Sequence, residues 1–267
     1  MPAPISSSGV WDGTSLLSST DMLRRSIPII PTLFLLLTLT ACEKDHLFDW
    51  TKSTGKTVTE NRPAGNFRFI VMDDDVDIRL SIQPQPAMSV TAGQNIIDGI
   101  KTEVRNDTLY VSNENRCNWV RSYKNRYVVN VAVPVIDRLL YYGSGNFDCI
   151  DTIRTDEFIV DVWNGSGSIQ LLLDVNQSHL NQHIGRCDIT VAGRSPLTYV
   201  YQNDVGRIDA ASLESDFTYA TNTGTNDMFI RCNKELGVEI RYTGNIYCSG
   251  QPYRVDSDIT GTGRLIF

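Results

Sequence analysis

The stretch Gly143-Ser144-Gly145-Asn146-Phe147-Asp148-Cys149-Ile150 decides the fold, because degenerate copies of it recur up to the last residue. The copies can be aligned on the second glycine, and the aligned positions, here called anchors, are Gly145, Gly167, Gly185, Gly206, Asn226, Gly244 and Gly263. A period of roughly 20 residues is typical of one coil of a β-solenoid. An antiparallel sandwich of short hairpins is the alternative that the pattern leaves open.

The residues that follow each anchor alternate between apolar and mostly polar side chains. Side chains alternate between the two faces of a β-strand, so the apolar columns should point into a core. The column two residues after the anchors is Phe147, Ile169, Cys187, Ile208, Met228, Ile246 and Leu265. The column four residues after them is Cys149, Leu171, Ile189, Ala210, Ile230, Cys248 and Phe267. The pattern predicts stacked coils joined by parallel sheets.

The anchors themselves predict a corner in each coil. Glycine adopts positive φ readily and asparagine is one of the few other residues that tolerate it, so the exchange of glycine for Asn226 favours a left-handed backbone at this position. A second apolar-rich run precedes the anchors, for example in residues 158–163 and 238–242. Each coil is therefore predicted to contain at least two short strands.

The hydrophobic pattern favours an all-β fold, and the net charge argues against nucleic acid as a partner. No segment shows a sustained helical period. The chain of 267 residues has a formal net charge of -7 and a pI near 5.0. Binding to nucleic acid depends on basic surfaces that neutralise phosphates, so nucleic acid is not expected as a partner.

Residues 22–41 have the pattern of a secretory signal peptide. Two arginines at 24 and 25 precede an apolar run from Ile27 to Leu39, which is shorter than the roughly 20 residues a membrane span needs. The motif Leu39-Thr40-Ala41-Cys42 resembles the lipobox of bacterial lipoproteins, which implies that Cys42 is acylated and attaches the protein to the outer membrane, at the cell surface or on the periplasmic face. Residues 1–21 are interpreted as a misassigned start, 42–66 as a tether and 67–267 as one domain.

Several short motifs resemble one bacterial family. They are Asp77-Ile-Arg-Leu80, residues 92–100, Asp107-Thr-Leu-Tyr-Val111, residues 115–124, and the Gly-Ser-Gly turns at 143–145 and 165–167. Over residues 60–267 the chain resembles the autotransporter adhesins with a head GIN domain, common in Bacteroides-type bacteria. The resemblance implies a single-stranded right-handed parallel β-helix, and it brings no general ligand with it.

The motifs that could carry metal chemistry do not meet its geometric requirements. His179 and His183 are four residues apart, a distance of about 13 Å along a strand, which is too far for a shared zinc ion. The acidic run Asp73–Asp77 lacks the glycine and the later glutamate of a calcium loop. The Gly-Ser-Gly turns differ from a nucleophile elbow. No metal and no cofactor are predicted.

An acidic column is the best candidate for catalysis. Asp148, Asp188 and Asp209 each follow an anchor by three residues, and outward carboxylates could act as acid and base on a polysaccharide. Gln170 interrupts the column, and solvated repeat positions explain it equally well. The enzyme hypothesis is therefore an alternative, and the protein is predicted not to be an enzyme.

A segment between two predicted strands mixes aromatic and basic residues. Trp119, Arg121 and Tyr123 in this segment, together with Trp163, are the predicted contacts with a glycan or a protein partner. Trp119 could instead simply hold a long loop against the solenoid. The predicted function is a non-catalytic envelope adhesin or binding module, and self-association through open coil ends is a third alternative.

Overall fold

The computed structural model describes residues 54–115 and 127–267. Four residues singled out in the sequence, Cys42, Trp119, Arg121 and Tyr123, lie outside these ranges, as do the predicted signal peptide and residues 42–53 of the tether. Within the two ranges, no helix is both long enough and apolar enough to span a membrane. The strands are numbered in chain order.

The described chain consists almost entirely of strands. The N-terminal ones are β1 Thr57–Arg62, β2 Phe69–Met72, β3 Val76–Ile82, β4 Ala87–Gly93, β5 Ile100–Arg105, β6 Thr108–Asn113, β7 Tyr127–Val133 and β8 Arg138–Tyr141, with a short 3-10 helix at Ile97–Gly99. Two long strands follow, β9 Phe147–Gly165 and β10 Ser168–Gly185. The remaining strands are β11 Asp188–Arg194, β12 Leu197–Gln202, β13 Arg207–Glu214, β14 Phe217–Asn222, β15 Met228–Arg231, β16 Glu235–Ile240, β17 Ile246–Ser249, β18 Arg254–Ile259 and β19 Leu265–Ile266.

From β8 onward the strands form a parallel solenoid with two sheets, as predicted. Sheet A contains β8, β9, β10, β12, β14, β16 and β18, each paired in parallel with the equivalent strand of the next coil. Sheet B contains β9, β10, β11, β13, β15, β17 and β19, also in parallel. The two long strands pass through both sheets. The solenoid has about six turns of roughly 20 residues.

The N-terminal strands extend both sheets in an order that differs from their order in the chain. β2 lies between β6 and β8, and β3 lies between β7 and β9, all in parallel. Antiparallel pairs, β5 with β6 and β4 with β7, then continue the sheets outward. β1 pairs antiparallel with β4 and lies inside the segment 42–66 that was interpreted as a tether. Its alternating side chains, TVTENR, suit a half-exposed edge strand.

The predicted inward columns form the core. Phe147, Ile169, Ile208, Met228 and Ile246 are fully inaccessible to solvent. The prediction is wrong for Phe267, which is 68% exposed because β19 ends at Ile266 and the phenyl ring lies past the last paired residue. Cys149 and Leu265 are partly buried, and the other members of the two columns apart from Phe267 are buried, so alternation identified the buried face correctly.

One coil has a different register from the predicted one. Gln170 pairs with Thr190, and Thr190 pairs with Asp209. Ile189 therefore follows Ile169 in the inward column. Cys187 also points inward, but it lies two residues before Ile189 and outside that column. Cys187 is still buried, because a shift of two residues leaves the same side chains pointing inward. The anchor of this coil is therefore position 187 and not Gly185.

The anchor glycines are required for close approach and not for positive φ. Gly145, Gly167, Gly206, Gly244 and Gly263 all lie outside the left-handed region, as does Asn226. A Cβ at Gly167 would lie 2.1 Å from the carbonyl oxygen of Gly145, and one at Gly263 would lie 2.1 Å from that of Gly244. These glycines thus let one coil pack against the backbone of the coil before it, while a Cβ at Gly206 would meet the buried amide of Gln182. The prediction of a left-handed corner is wrong at these six positions and is confirmed at Gly185, where φ is +119°.

Buried amide side chains stabilise the same corners from inside. Gln202 is fully buried, its Oε1 accepts from the backbone N–H of Ile208 at 2.8 Å, and its Nε2 donates to the carbonyl oxygen of Asn226 at 2.7 Å. The amide of Asn222, one coil later, donates to the same carbonyl at 3.0 Å. Since a buried backbone group without a partner is costly, these amides fix the path of the chain between the two sheets.

Candidate functional site

The outward surface of sheet A carries two rows of stacked rings. In the first row His179 stacks on Tyr199 and Tyr199 on Tyr219, with ring centroids 4.8 and 5.4 Å apart. In the second row Trp163 stacks on His183 at 3.8 Å, and Tyr201 lies beyond His183 at 5.5 Å. These six residues are called the aromatic face. Trp163 and Tyr219 are its most exposed members, at 40% and 44%.

The register of the solenoid produces these rows. Ile159, His179, Tyr199, Tyr219 and Gly237 are paired in sequence along sheet A. Neighbouring parallel strands lie about 4.8 Å apart, so rings in the same column meet at stacking distance. Only Gly237 lacks a side chain, and it leaves the last ring of the first row with one uncovered face.

A buried carboxylate holds the second row in place. Asp161 is only 6% exposed and accepts hydrogen bonds from Arg138 Nη2 at 2.6 Å and Asn181 Nδ2 at 3.1 Å. His183 Nε2 lies 3.3 Å from Asp161 Oδ1. Burial alone would raise the pKa of Asp161, but the hydrogen bonds from Arg138, His183 and Asn181 outweigh it and lower the pKa. Asp161 is therefore a charged support for the ring of His183.

Polar side chains surround the first row as well. Glu157 Oε1 lies 3.0 Å from His179 Nε2 and accepts from Gln177 Nε2 at 3.0 Å. Sequence interpretation considered His179 and His183 only as zinc ligands, whereas in the structure each has a carboxylate partner. The partners come from the preceding coil, about 20 residues away, so they are not visible in the local sequence.

A groove of about 430 Å³ opens where the first row ends. Gly237 and the backbone on either side form its floor, and Tyr219 stands at one end. The charged lining consists of Glu235, Glu239, Arg254, Asp256 and Asp258. The volume lies within the range of roughly 300–1,000 Å³ that is usual for small-molecule sites.

Comparison with known proteins places the chain in a family. A model described as "putative auto-transporter adhesin, head GIN domain" matches residues 66–252. The chain belongs to this family. No curated protein matches the sequence.

Solved structures agree with the head GIN fold. An adhesin from Bacteroides fragilis, described as putative, has a TM-score of 0.71 and 20% identity over 79% of this chain and 96% of its own. One from Parabacteroides merdae has a TM-score of 0.61 and 16% identity, covering 80% and 98%. A Parabacteroides distasonis protein described as a putative lipid binding protein has a TM-score of 0.58 and 16% identity, with the same coverage. At these identities the likeness shows the fold alone.

Of the contact residues predicted for this head GIN domain, Trp163 lies on the aromatic face. Trp119, Arg121 and Tyr123 fall outside the described residues. Tyr142 and Tyr242 are exposed, at 40% and 54%, but neither belongs to the stacked rows. The rows were missed because their members differ in offset from the anchors. Only the register between coils aligns them.

The acidic column that was the candidate for the alternative of catalysis is not continuous. Asp148 pairs with Gln170, which pairs with Thr190, and Asp209 follows only then. Asp188 lies two residues out of this column, beside Ser168 and Arg207. Among residues 54–115 and 127–267, no three histidine, cysteine, aspartate or glutamate side chains are placed to hold a metal ion.

Proposed function

We propose that this head GIN domain is a non-catalytic adhesin of the cell envelope that binds a glycan through its aromatic face. The observation that carries the proposal is the pair of stacked rows on sheet A, which present exposed rings at Trp163 and Tyr219 among amide and carboxylate side chains. This is a built surface, because Asp161 and its three partners position the second row.

The chemistry of such a surface suits a sugar. A pyranose has an apolar C–H face, which packs on an aromatic ring, and a rim of hydroxyl groups that both donate and accept hydrogen bonds. Carboxylates such as Glu157 accept from hydroxyls, and amides such as Asn181 do both. Rigid aromatic side chains contribute contact area at little cost in conformational entropy. A protein partner would be expected to need a larger apolar centre than these rows provide.

Binding without turnover is supported by the register of sheet B. A glycosidase or lyase needs two groups converging on one bond, and retaining and inverting glycosidases place their carboxylates about 5 to 10 Å apart. Asp148 and Asp209 lie three coils apart, a separation of about 14 Å between backbones. Asp188 lies one coil from Asp209, about 8 Å away on the diagonal, but Asp209 is already paired with the guanidinium of Arg207 at 2.9 Å. The polysaccharide-degrading alternative has no specific observation in its favour.

The domain is held at the outer membrane by acylated Cys42 in this proposal. We expect the native N-terminal peptide to begin at Cys42 and to carry two or three acyl chains, because one chain alone gives only marginal anchoring. Mass spectrometry of that peptide is the measurement, and Cys42→Ser should move the protein from the membrane fraction to the soluble one. An unmodified Cys42 peptide, or one that begins upstream, would contradict the anchor.

Removing the second row should abolish most glycan binding. The double variant Trp163→Ala with Tyr201→Ala should weaken binding at least ten-fold on a glycan array or by calorimetry, since a buried hot-spot side chain contributes about 2 kcal/mol. Both rings lie on the surface of sheet A, so the midpoint of thermal unfolding should change little. The pair Trp119→Ala with Tyr123→Ala tests in the same assay whether the 116–126 segment takes part.

A matched control exists on the opposite sheet. Phe229 and Tyr247 form a stacked pair on sheet B, with centroids 5.0 Å apart and planes 9° from parallel. Alanine at both positions removes the same kind of surface from the wrong face and should leave binding unchanged. Equal losses in the two double variants would overturn the assignment of the site to sheet A.

A further inference from the structure

The groove at the end of the first row lies where the next ring of that row would be. Tyr219, Gly237 and Asp256 follow one another in register on β14, β16 and β18. Tyr199 covers one face of the Tyr219 ring, and no side chain from Gly237 covers the other. The backbones of Tyr219 and Asp256 are two coil spacings apart, about 10 Å. The groove beside them has a volume of about 430 Å³, which is large enough for a sugar ring.

The ring of Tyr219 leans into the space above Gly237, and the groove lies beside it. A Cβ at Gly237 would lie 2.7 Å from the Tyr219 ring carbon Cδ1, so a larger residue would push the ring away and fill the floor. Glu235 and Glu239 lie two residues to either side of Gly237 on β16, and their side chains project from the same face of the strand. The groove therefore has an aromatic end and two carboxylate walls.

The charges of the groove do not cancel. Glu239 pairs with Arg241, which also bonds Asp258 at 2.8 Å, and Glu235 lies 3.5 Å from Arg254. Asp256 has no ion-pair or hydrogen-bond partner among the described residues, and it stands opposite the free face of Tyr219. Four carboxylates against two guanidinium groups leave the groove negative. An aromatic face beside an unpaired carboxylate favours a cation.

We propose that this groove is a subsite for a protonated amino sugar, with the sugar ring on Tyr219 and its ammonium group at Asp256. The inference rests on the proposed glycan binding and names the class of sugar. A C–H face on the ring of Tyr219 would continue the first row by one member, and the ammonium group would supply the charge that Asp256 lacks. The site selects amino sugars over neutral ones by pairing this charge.

Two oligosaccharides that differ only in the amine provide the test. Binding of a glucosamine oligomer and of the N-acetylated oligomer of equal length is measured by calorimetry with the full lipid-free domain. The glucosamine oligomer should bind at least ten-fold more tightly, and its advantage should shrink as salt is raised, because salt screens exposed charges. Asp256→Asn should remove the preference. Asp188→Asn, an exposed aspartate on sheet B, should not change it.

The outcomes separate this inference from the proposed function. If both oligomers bind equally and Asp256→Asn has no effect, the amino-sugar subsite is wrong while glycan binding stands. If neither oligomer binds, the subsite is also wrong. The proposed function is then tested separately, by measuring whether the Trp163 variant loses binding to other glycans. Gly237→Val, which fills the groove, should reduce binding of the amine without reducing that of a neutral glycan held by Trp163.

Discussion

Ile208→Asp should destabilise the domain by about 5 kcal/mol or more, close to the entire stability of many domains. Ile208 is fully buried in the inward column of sheet B, with Ile189 and Met228 in the coils on either side. A carboxylate at this position would have no partner and would lose its hydration. Chemical denaturation followed by circular dichroism measures the loss of stability. A variant that does not fold at all would also agree with the prediction.

The neighbouring Arg207→Ser is the matched control. The Arg207 side chain points outward, 4.4 Å over the ring of Phe229, and its Nη2 lies 2.9 Å from Asp209 Oδ2. Exposed interactions of these kinds contribute about 1 kcal/mol at most. The two adjacent substitutions should therefore differ by several-fold in cost. Comparable losses at the two positions would refute the assignment of the faces.

Gly167→Ala should cost about 3 kcal/mol, far more than the usual effect of a glycine-to-alanine change in a strand. The new Cβ would lie 2.1 Å from the carbonyl oxygen of Gly145 and 2.4 Å from Tyr141 Oη. Tyr141 Oη donates to that carbonyl at 2.7 Å and accepts from the Gly167 N–H at 2.9 Å. The substitution thus overlaps a backbone atom and breaks a buried hydrogen-bond bridge. The midpoint of denaturation measures the change.

Two further variants separate close approach from backbone conformation. Asparagine tolerates positive φ better than alanine, so Gly167→Asn would be the milder change if φ were the requirement. We expect it to be at least as damaging as alanine, because its side chain also begins with a Cβ. Ser166→Ala, at an exposed position of the same turn, should be nearly neutral. A stable Gly167→Asn variant would argue against the close-approach explanation.

The fold could be predicted because each coil repeats a period-two pattern over one buried surface. That same period explains the error in one coil. Moving the pairing of residues 185–190 by two places keeps Ile189 and Cys187 buried, so alternation cannot choose between the two registers. The glycines were a second ambiguity, because glycine suits both a position with positive φ and a position where another backbone approaches closely. Only the location of the neighbouring carbonyl oxygen distinguishes the two requirements.

The candidate site was less accessible to sequence reasoning than the fold. Trp163 was selected as an exposed aromatic residue, but its stacking partner His183 lies in the next coil and depends on a register irregularity in β10. His179 and His183 were considered only as metal ligands along one strand. The contacts that define them run across coils. The groove depends on the absence of a side chain at Gly237, which a local motif search does not register.

The insertion of β2 and β3 between later strands affects the order in which the chain can fold. Phe69 finds its neighbours only when Thr108 and Arg138 are available, whereas each later coil pairs with the coil just before it. Closing long loops costs entropy before any contact compensates for it, so topologies of this kind nucleate slowly. The first strands to be synthesised therefore wait for the middle of the chain.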